Sequence, residues 1–309
     1  MKQIAFMKNR KIYFGISIGL VVLTVLATLI FGVNLDIQFK GGTIITYSHA
    51  GDLDGGAFQK AIEEKLGQKV NIQEQTNVAT GNMNYVVSLT SADGLSVEDQ
   101  GALTESLQQQ FPDNAIETFA VNNVNPTIGK EFFAKCLVAV AIAALLMVVY
   151  IAFRFRRIGG WSAGVMCVVA LLHDVMIVYL AFVLFKFPIN DNFIAVVLTI
   201  LGYSINATIV IYDRIRENKK RYGSKANIGE LVDKSINQSM TRSINTSLST
   251  ATAMIVICIV AVVRDVNSIL TFAFPLLIGI IAGFYSSTFL SGPLWVCWQE
   301  YKKAKKAAK

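Results

Sequence analysis

Phe132–Arg157 reads FFAKCLVAVAIAALLMVVYIAFRFRR. The stretch from Phe132 to Phe153 carries a single charge, Lys135, and is followed at once by Arg154, Arg156 and Arg157. A helix rises about 1.5 Å per residue, so about 20 apolar residues cross a hydrocarbon core about 30 Å thick. The run therefore reads as a membrane span with its basic end at an interface. Five further stretches read the same way: Ile12–Val33, Trp161–Phe185, Phe193–Tyr212, Ser247–Val263 and Leu270–Trp298. The last contains Pro275, where a kink or tilt is expected. The predicted class is an α-helical polytopic membrane protein with six transmembrane helices and one α+β ferredoxin-like extracytoplasmic domain.

Charged residues make up 16% of the chain and hydrophobic residues 53%. A soluble domain averages about 25% charged. Lys and Arg set the orientation. With the N-terminus in the cytoplasm, twenty of the 28 fall on that side. They are Lys2, Lys8, Arg10 and Lys11, then Arg154, Arg156 and Arg157, then eight from Arg214 to Arg242 including Lys225 and Lys234, and the tail lysines 302, 303, 305, 306 and 309. The short outer loops hold only Lys186 and Arg264. The net charge of +7 thus marks topology beside anionic membrane lipid and does not point to nucleic acid. Lys8, Arg10 and Lys11 resemble the start of a signal peptide. The apolar run after them is too long for one and no A-x-A site follows, so the first span is expected as a retained anchor.

The domains expected are 1–33 (cytoplasmic N-terminus and first span), 34–131 (outer α+β domain), 132–298 (spans two to six, with a cytoplasmic loop at 214–245) and 299–309 (basic cytoplasmic tail). Within the loop, Ile228, Leu231, Val232 and Ile236 are spaced as a surface helix. Within the outer segment, Thr43–Ser48 is β-like, Ala57–Leu66 helical, Val70–Glu74 and Tyr85–Leu89 β-like, Ser96–Phe111 helical behind the capping box Ser96-x-x-Asp99, and Ala115–Val121 β-like. This β-α-β-β-α-β order suggests a split βαβ, ferredoxin-like domain.

Polar residues inside the spans are costly in lipid and usually face a bundle interior. His173 and Asp174 sit near the middle of the third span, where either a structural hydrogen bond or a proton-carrying role accounts for the carboxylate. In the fourth span Gly202 and Asn206 share a face, and Asp213 follows at the cytoplasmic exit. In the fifth, Asn245, Ser249 and Thr252 share a face, as packing groups or as the wall of a wet cavity, with Arg242 at its start. In the sixth, Gly279, Gly283 and Ser287 form a small-residue ladder suited to close helix packing. Gly41–Gly42, after the first span, is placed to turn the chain into the first strand and to act as a hinge.

The four cysteines, 136, 167, 258 and 297, lie in apolar stretches without metal-ligand spacing, and the histidines are only His49 and His173. No metal or cofactor is expected. Nor is an enzyme, since no nucleophile–base pair or phosphate loop appears and His173 and Asp174 leave the helix about 100° apart.

Taken together, FKGGT (Phe39–Thr43), VNPTIGKEF (Val124–Phe132), HDV (His173–Val175), GYSIN…TIVIYDRIREN (Gly202–Asn218), RSINTSLST (Arg242–Thr250) and LLIGIIAGFYSSTFLSGPL (Leu276–Leu294) resemble the SecF branch of the SecD/SecF protein-export family, across nearly the whole chain. That family lies within the resistance-nodulation-division superfamily. The resemblance implies a bacterial plasma (inner) membrane protein that pairs with SecD, works beside the SecYEG channel and uses a proton or sodium gradient to assist unfolded preprotein outward. Two positions depart from the pattern. Gln38 replaces an acidic residue, and Ala207 stands where the family's GYSIND motif has the aspartate thought to be protonated. An engineered change, a partner that supplies the carboxylates, or action without ion flux would each account for Ala207. The remaining ion-relay candidates are Asp174, His173, Asn206, Asp213 and Arg242. The alternative is a small-molecule or lipid exporter subunit of the same superfamily. Such exporters usually carry two six-helix repeats, so this chain would need a partner or a second copy.

Overall fold

A computed structural model describes residues 4–76, 83–89, 95–124, 126–223, 226–264 and 266–307. Of the topology-marking lysines, Lys2, Lys225 and Lys309 lie outside them. Along the chain, α1 (Arg10–Phe31) leads through a one-turn α2 (Ile37–Lys40) into β1 (Gly42–Ser48), α3 (Gly55–Leu66), β2 (Val70–Thr76), β3 (Met83–Leu89), α4 (Val97–Gln110) and β4 (Glu117–Val124). Five long helical runs follow: α5 (Pro126–Arg154), α6 (Gly160–Leu184), α7 (Asp191–Tyr222), α8 (Ile228–Val263), and α9 (Asn267–Tyr285) continued by a π-helical turn, Ser286–Ser291, into α10 (Gly292–Ala307). Six of these runs are long and apolar enough to cross a membrane. Helices satisfy their own backbone groups, which hydrocarbon cannot do.

The six runs all exceed the apolarity a span needs, with mean hydropathy from 2.0 to 2.9, but they are not equally buried. The most apolar windows of α6, α7 and α9–α10 are 56%, 44% and 44% buried, against 17%, 11% and 6% for α1, α5 and α8. Hydropathy alone could not separate the two groups, because lipid and protein interior accept the same side chains. Phe155, Tyr212, Trp295, Ile215 and Val232 fill one core, and Val178, Phe182, Ile200 and Ile280 another. Glycines set how close the helices come. A Cβ on Gly160 would stand 2.1 Å from the Ala152 carbonyl oxygen, and one on Gly164 would stand 2.9 Å from that of Val148. The α5 and α6 backbones therefore meet through a Gly-x-x-x-Gly step. Pro275 lies within α9, and the departure from α geometry falls further on, at Ser286–Ser291.

The stretch 214–245, expected as a loop with a surface helix around Ile228–Ile236, is helical to Tyr222 and again from Ile228, so α7 and α8, with 32 and 36 residues, extend well past the bilayer thickness. The cause is a polar and apolar seam that the pattern hid. Asn218 Nδ2 donates to Ser235 Oγ and Gln238 Oε1, each at 2.9 Å, and Arg214 Nε to Gln238 Oε1 at 2.8 Å. Asn227 caps α8 through Gly229 N at 2.9 Å. The N-terminal segment docks on this extension. Ile4 N donates to Asn237 Oδ1, Met7 N to Asp233 Oδ1, and Arg10 pairs with Glu300 at 2.9 Å. The N-terminus, the α7–α8 connection and α10 thus share one end of the molecule.

The other end carries a four-stranded antiparallel sheet in the order β2-β3-β1-β4, with Ile45 opposite both Val87 and Val121. Ile45, Tyr47, Val87 and Leu89 meet Phe58, Ile62, Leu103 and Leu107 from α3 and α4 in a closed core. Asp54 caps α3, and Ser96 Oγ caps α4 by accepting from Asp99 N at 3.1 Å while donating to the Asp99 carboxylate. Burial and the nearby Glu74 carboxylate push the Tyr85 hydroxyl up to about 12, so it remains a donor to the Leu53 carbonyl. The domain's root is fastened twice. Leu35 and Ile189 form a parallel bridge, and Phe39 packs on Phe132 and Phe133 with ring centroids 5.7 and 5.0 Å away. Gly41 and Gly42 follow with φ of 82° and 146°, which favour glycine, and they turn the chain from α2 into β1.

Replacing Gly160 by Ala should therefore force α5 and α6 apart and cost roughly 1–3 kcal/mol. Gly202→Ala meets open space and should be neutral or slightly stabilising. Thermal unfolding in detergent reads both, and equal melting temperatures would refute the close-approach account.

Candidate functional site

Three elements converge at the midpoint of α6. Asp174 is completely buried there, and α7 and the π turn bring one hydroxyl each to the same carboxylate oxygen. Ser204 Oγ and Ser286 Oγ both donate to Asp174 Oδ2 at 2.7 Å. His173 Nδ1 lies 3.3 Å from Oδ1, a long contact for a hydrogen bond. The adjacent side chains were expected to diverge, and the histidine ring instead folds back toward the carboxylate. His173 is nearly buried, and its Nε2 has no partner among the described residues. Its ring stands 5.9 Å from that of Tyr285, whose hydroxyl donates to the Tyr13 carbonyl at 2.8 Å and accepts from Ser17 at 3.4 Å. These bonds tie α6, α7 and the π turn together, and Tyr285 at the end of α9 ties α1 in beside them.

The other candidates lie elsewhere. Gly202 and Asn206 are exposed on the next face of α7, and Ala207 beside them is half-buried. Asn245, Ser249, Thr252 and Arg242 are exposed on α8. Arg242 makes no ion pair among the described residues. Asp213 sits about 14 Å along α7 from Ser204, nine residues further on. It bridges Arg154 at 3.2 Å and Arg216 at 2.6 Å. The structure therefore joins Asp174 with His173, and joins neither with Asn206, Asp213 or Arg242. In the small-residue ladder, a Cβ on Gly279 would stand 2.5 Å from Ile200, and one on Gly283 would stand 3.1 Å from Ser204 Cβ. Those glycines bring α9 onto α7 and Ser286 to the carboxylate. Ser287 spends its hydroxyl on its own helix, at Gly283 O.

Tyr285 and Ser286 escaped the sequence reading as site residues. Their signal was present: Ser286 lies three residues beyond Gly283 and adjoins the same stripe.

The family model for the protein export membrane protein SecD/SecF, C-terminal, matches residues 103–301. The protein translocase subunit SecF of Sebaldella termitidis is 32% identical over 307 residues, covering 99% of this chain and 96% of that protein. The protein translocase subunit SecDF of Bacillus subtilis is 30% identical, covering 96% of this chain and 39% of its own. The crystal structure of SecDF, a translocon-associated membrane protein from Thermus thermophilus, superposes with a TM-score of 0.78 at 31% identity, over 96% of this chain and 39% of the other. The chain thus spans nearly all of the SecF relative and about two-fifths of each SecDF chain.

Asp174→Ala should strand two buried serine hydroxyls and destabilise the protein by about 1–3 kcal/mol, and Asp174→Asn by less. Adding Ser204→Ala and Ser286→Ala to Asp174→Ala should cost little more, since the stranded donors are gone. Fully additive losses in thermal unfolding would contradict this centre.

Proposed function

The chain belongs to the SecD/SecF family of protein-export membrane proteins, and from that premise we propose that it is the SecF-type subunit of the Sec translocase. On this reading it is a transport subunit without enzymatic chemistry. It pairs with SecD, works beside the SecYEG channel and assists unfolded preprotein across the bacterial plasma membrane. The observation that carries the pairing is the exposed polar face of α7 and α8. Asn206, Ser249 and Thr252 stand outward on the spans and Asn245 just before the fifth. Thr252 bonds its own helix at Leu248 O, and lipid offers Asn206 and Ser249 no partners. A second six-helix half supplies them, which fits a chain that matches two-fifths of a SecDF protein.

The orientation we propose puts both termini in the cytoplasm. Arg10, Arg154, Arg156, Arg214, Arg216 and the tail lysines gather at the end that holds the N-terminal segment, opposite the sheet. The sheet domain, with its β-α-β-β-α-β order and antiparallel 2-3-1-4 arrangement, is on this reading a ferredoxin-like module outside the membrane. It meets emerging preprotein and pivots at Gly41–Gly42, just beyond the fastened Phe39.

Ion coupling rests on two groups in this reading. Asp174 with His173 is the carrier inside this chain, and Arg242 faces the partner. Ala207 leaves α7 without a titratable group on the shared face, so the partner's carboxylates complete any relay.

With SecD co-expressed, Gly202→Leu should lower SecD recovery roughly tenfold while leaving the chain's own melting temperature unchanged, because bulk there blocks close approach. Undiminished recovery, or a homodimer that moves a dye, would favour the exporter reading. Ala207→Asp should raise gradient-stimulated preprotein translocation in vesicles. An unchanged rate would place coupling elsewhere.

A further inference from the structure

A cleft of about 840 Å³ opens between the cytoplasmic ends of α5 and α7. Pockets that bind small ligands fall in the range of about 300–1,000 Å³. Its lining is unusual for this chain. Arg154, Arg156, Arg216, Lys219 and Lys220 outnumber Asp213 and Glu217, over an apolar floor at Ile158 with Phe153 at the rim. We infer that this cleft binds the phosphate of an anionic phospholipid headgroup.

The guanidinium groups are held in place before any ligand arrives. Arg156 lies over the Phe153 ring at 4.7 Å, and Arg154 and Arg216 lie over Phe155 at 5.4 and 6.0 Å. Asp213 takes one contact from each of Arg154 and Arg216, so one negative charge faces two positive ones and other N–H donors remain on both. Glu217 is engaged by Arg214, which does not line the cleft, at 2.6 Å. Arg156 and Lys220 are exposed and have no carboxylate partner among the described residues. The cleft is therefore net positive, with preset forks suited to phosphate oxygens.

The surroundings favour a lipid over a soluble anion. Ile142, Leu146, Tyr150 and Phe153 follow one another at helical spacing along α5, and all four are at least half exposed. They form an apolar stripe that runs from the cleft mouth into the depth of the bilayer. A headgroup seated among the arginines would lay its acyl chains on that stripe, and a free phosphate would leave it unused. Basic pockets between membrane helices on the cytoplasmic side are suited to such headgroups.

The test uses the full chain in detergent, titrated with phosphatidylglycerol, phosphatidylcholine or inorganic phosphate and read by native mass spectrometry. Phosphatidylglycerol should bind at least roughly tenfold more tightly than phosphatidylcholine, and Arg156→Gln with Lys220→Gln should reduce that preference to within about twofold. Lys305→Gln with Lys306→Gln, in the tail, should retain it. A photoactivatable phosphatidylglycerol on the unaltered chain should crosslink within 150–158 or 213–220, which keeps the test decisive if the cleft variant misfolds. Preference intact in the cleft variant, loss in the tail variant, crosslinks confined to other segments, or displacement of the lipid by inorganic phosphate at matched concentration would each overturn the proposal.

Discussion

Asp174 lies completely buried at the middle of α6, and every partner it has must come from protein. Hydrocarbon supplies no hydrogen-bond donors, and an unsatisfied carboxylate at that depth costs several kcal/mol. Two serine hydroxyls at 2.7 Å meet the requirement. They come from different helices, so the carboxylate fixes the rotation of α7 and of the last span against α6. Gly279 and Gly283 follow from the same requirement. Without a side chain there, α9 approaches Ile200 and Ser204 closely enough for Ser286 to reach Oδ2. The buried carboxyl group and the small-residue ladder are two halves of one packing solution.

The same constraint explains the outward polar groups by their contrast with the inward ones. Ser204 and Asn206 are two residues apart on α7, about 200° around the helix. Ser204 turns in to the carboxylate, and Asn206 turns out beside Gly202 and Ala207. On α8, Ser235 and Ser239 are buried in the first third of the helix, whereas Asn245, Ser249 and Thr252 are exposed. Thr252 bonds its own helix at Leu248 O, which leaves Asn206, Asn245 and Ser249 as the outward groups that the proposed pairing with SecD would engage.

Much of this was legible in the sequence, because span length and hydrophobic period are simple physical filters. The six runs, the β-α-β-β-α-β order and the Ser96 cap all follow from period and turn chemistry. Other features were not. The α7–α8 extension reads as polar and basic, and only the third dimension shows Asn218, Ser235 and Gln238 as a seam between two helices. The Gly160–Gly164 step opens α6, and its role depends on the Ala152 and Val148 carbonyls of α5 that lie opposite it. The step of about 100° between adjacent helix positions points His173 away from Asp174, yet its Nδ1 stands 3.3 Å from Asp174 Oδ1. Ser286 sat in plain view in YSSTFLS, but its significance depends on which residue of another helix lies opposite.

The π-helical turn at Ser286–Ser291 shows how the sequence accommodates that meeting. A π turn shifts the backbone bonds from i+4 to i+5. Around it, serine hydroxyls bond back to carbonyls four residues earlier, as Ser239 does in α8. Ser287 Oγ donates to Gly283 O at 2.5 Å, and Ser291 Oγ to Ser287 O at 2.7 Å. Ser286, alone of the three, directs its short bond away from its own helix to Asp174. The wider turn also delivers the Ser291 carbonyl to the Tyr212 hydroxyl on α7 at 3.3 Å. An α-helical register through the same residues would rotate everything beyond Tyr285, and Trp295 would leave its contact with Ser162 on α6. Local backbone irregularity, serine content and the buried carboxylate are therefore interdependent. The π turn lets one helix meet Asp174 through Ser286 and the Ser162 contact through Trp295.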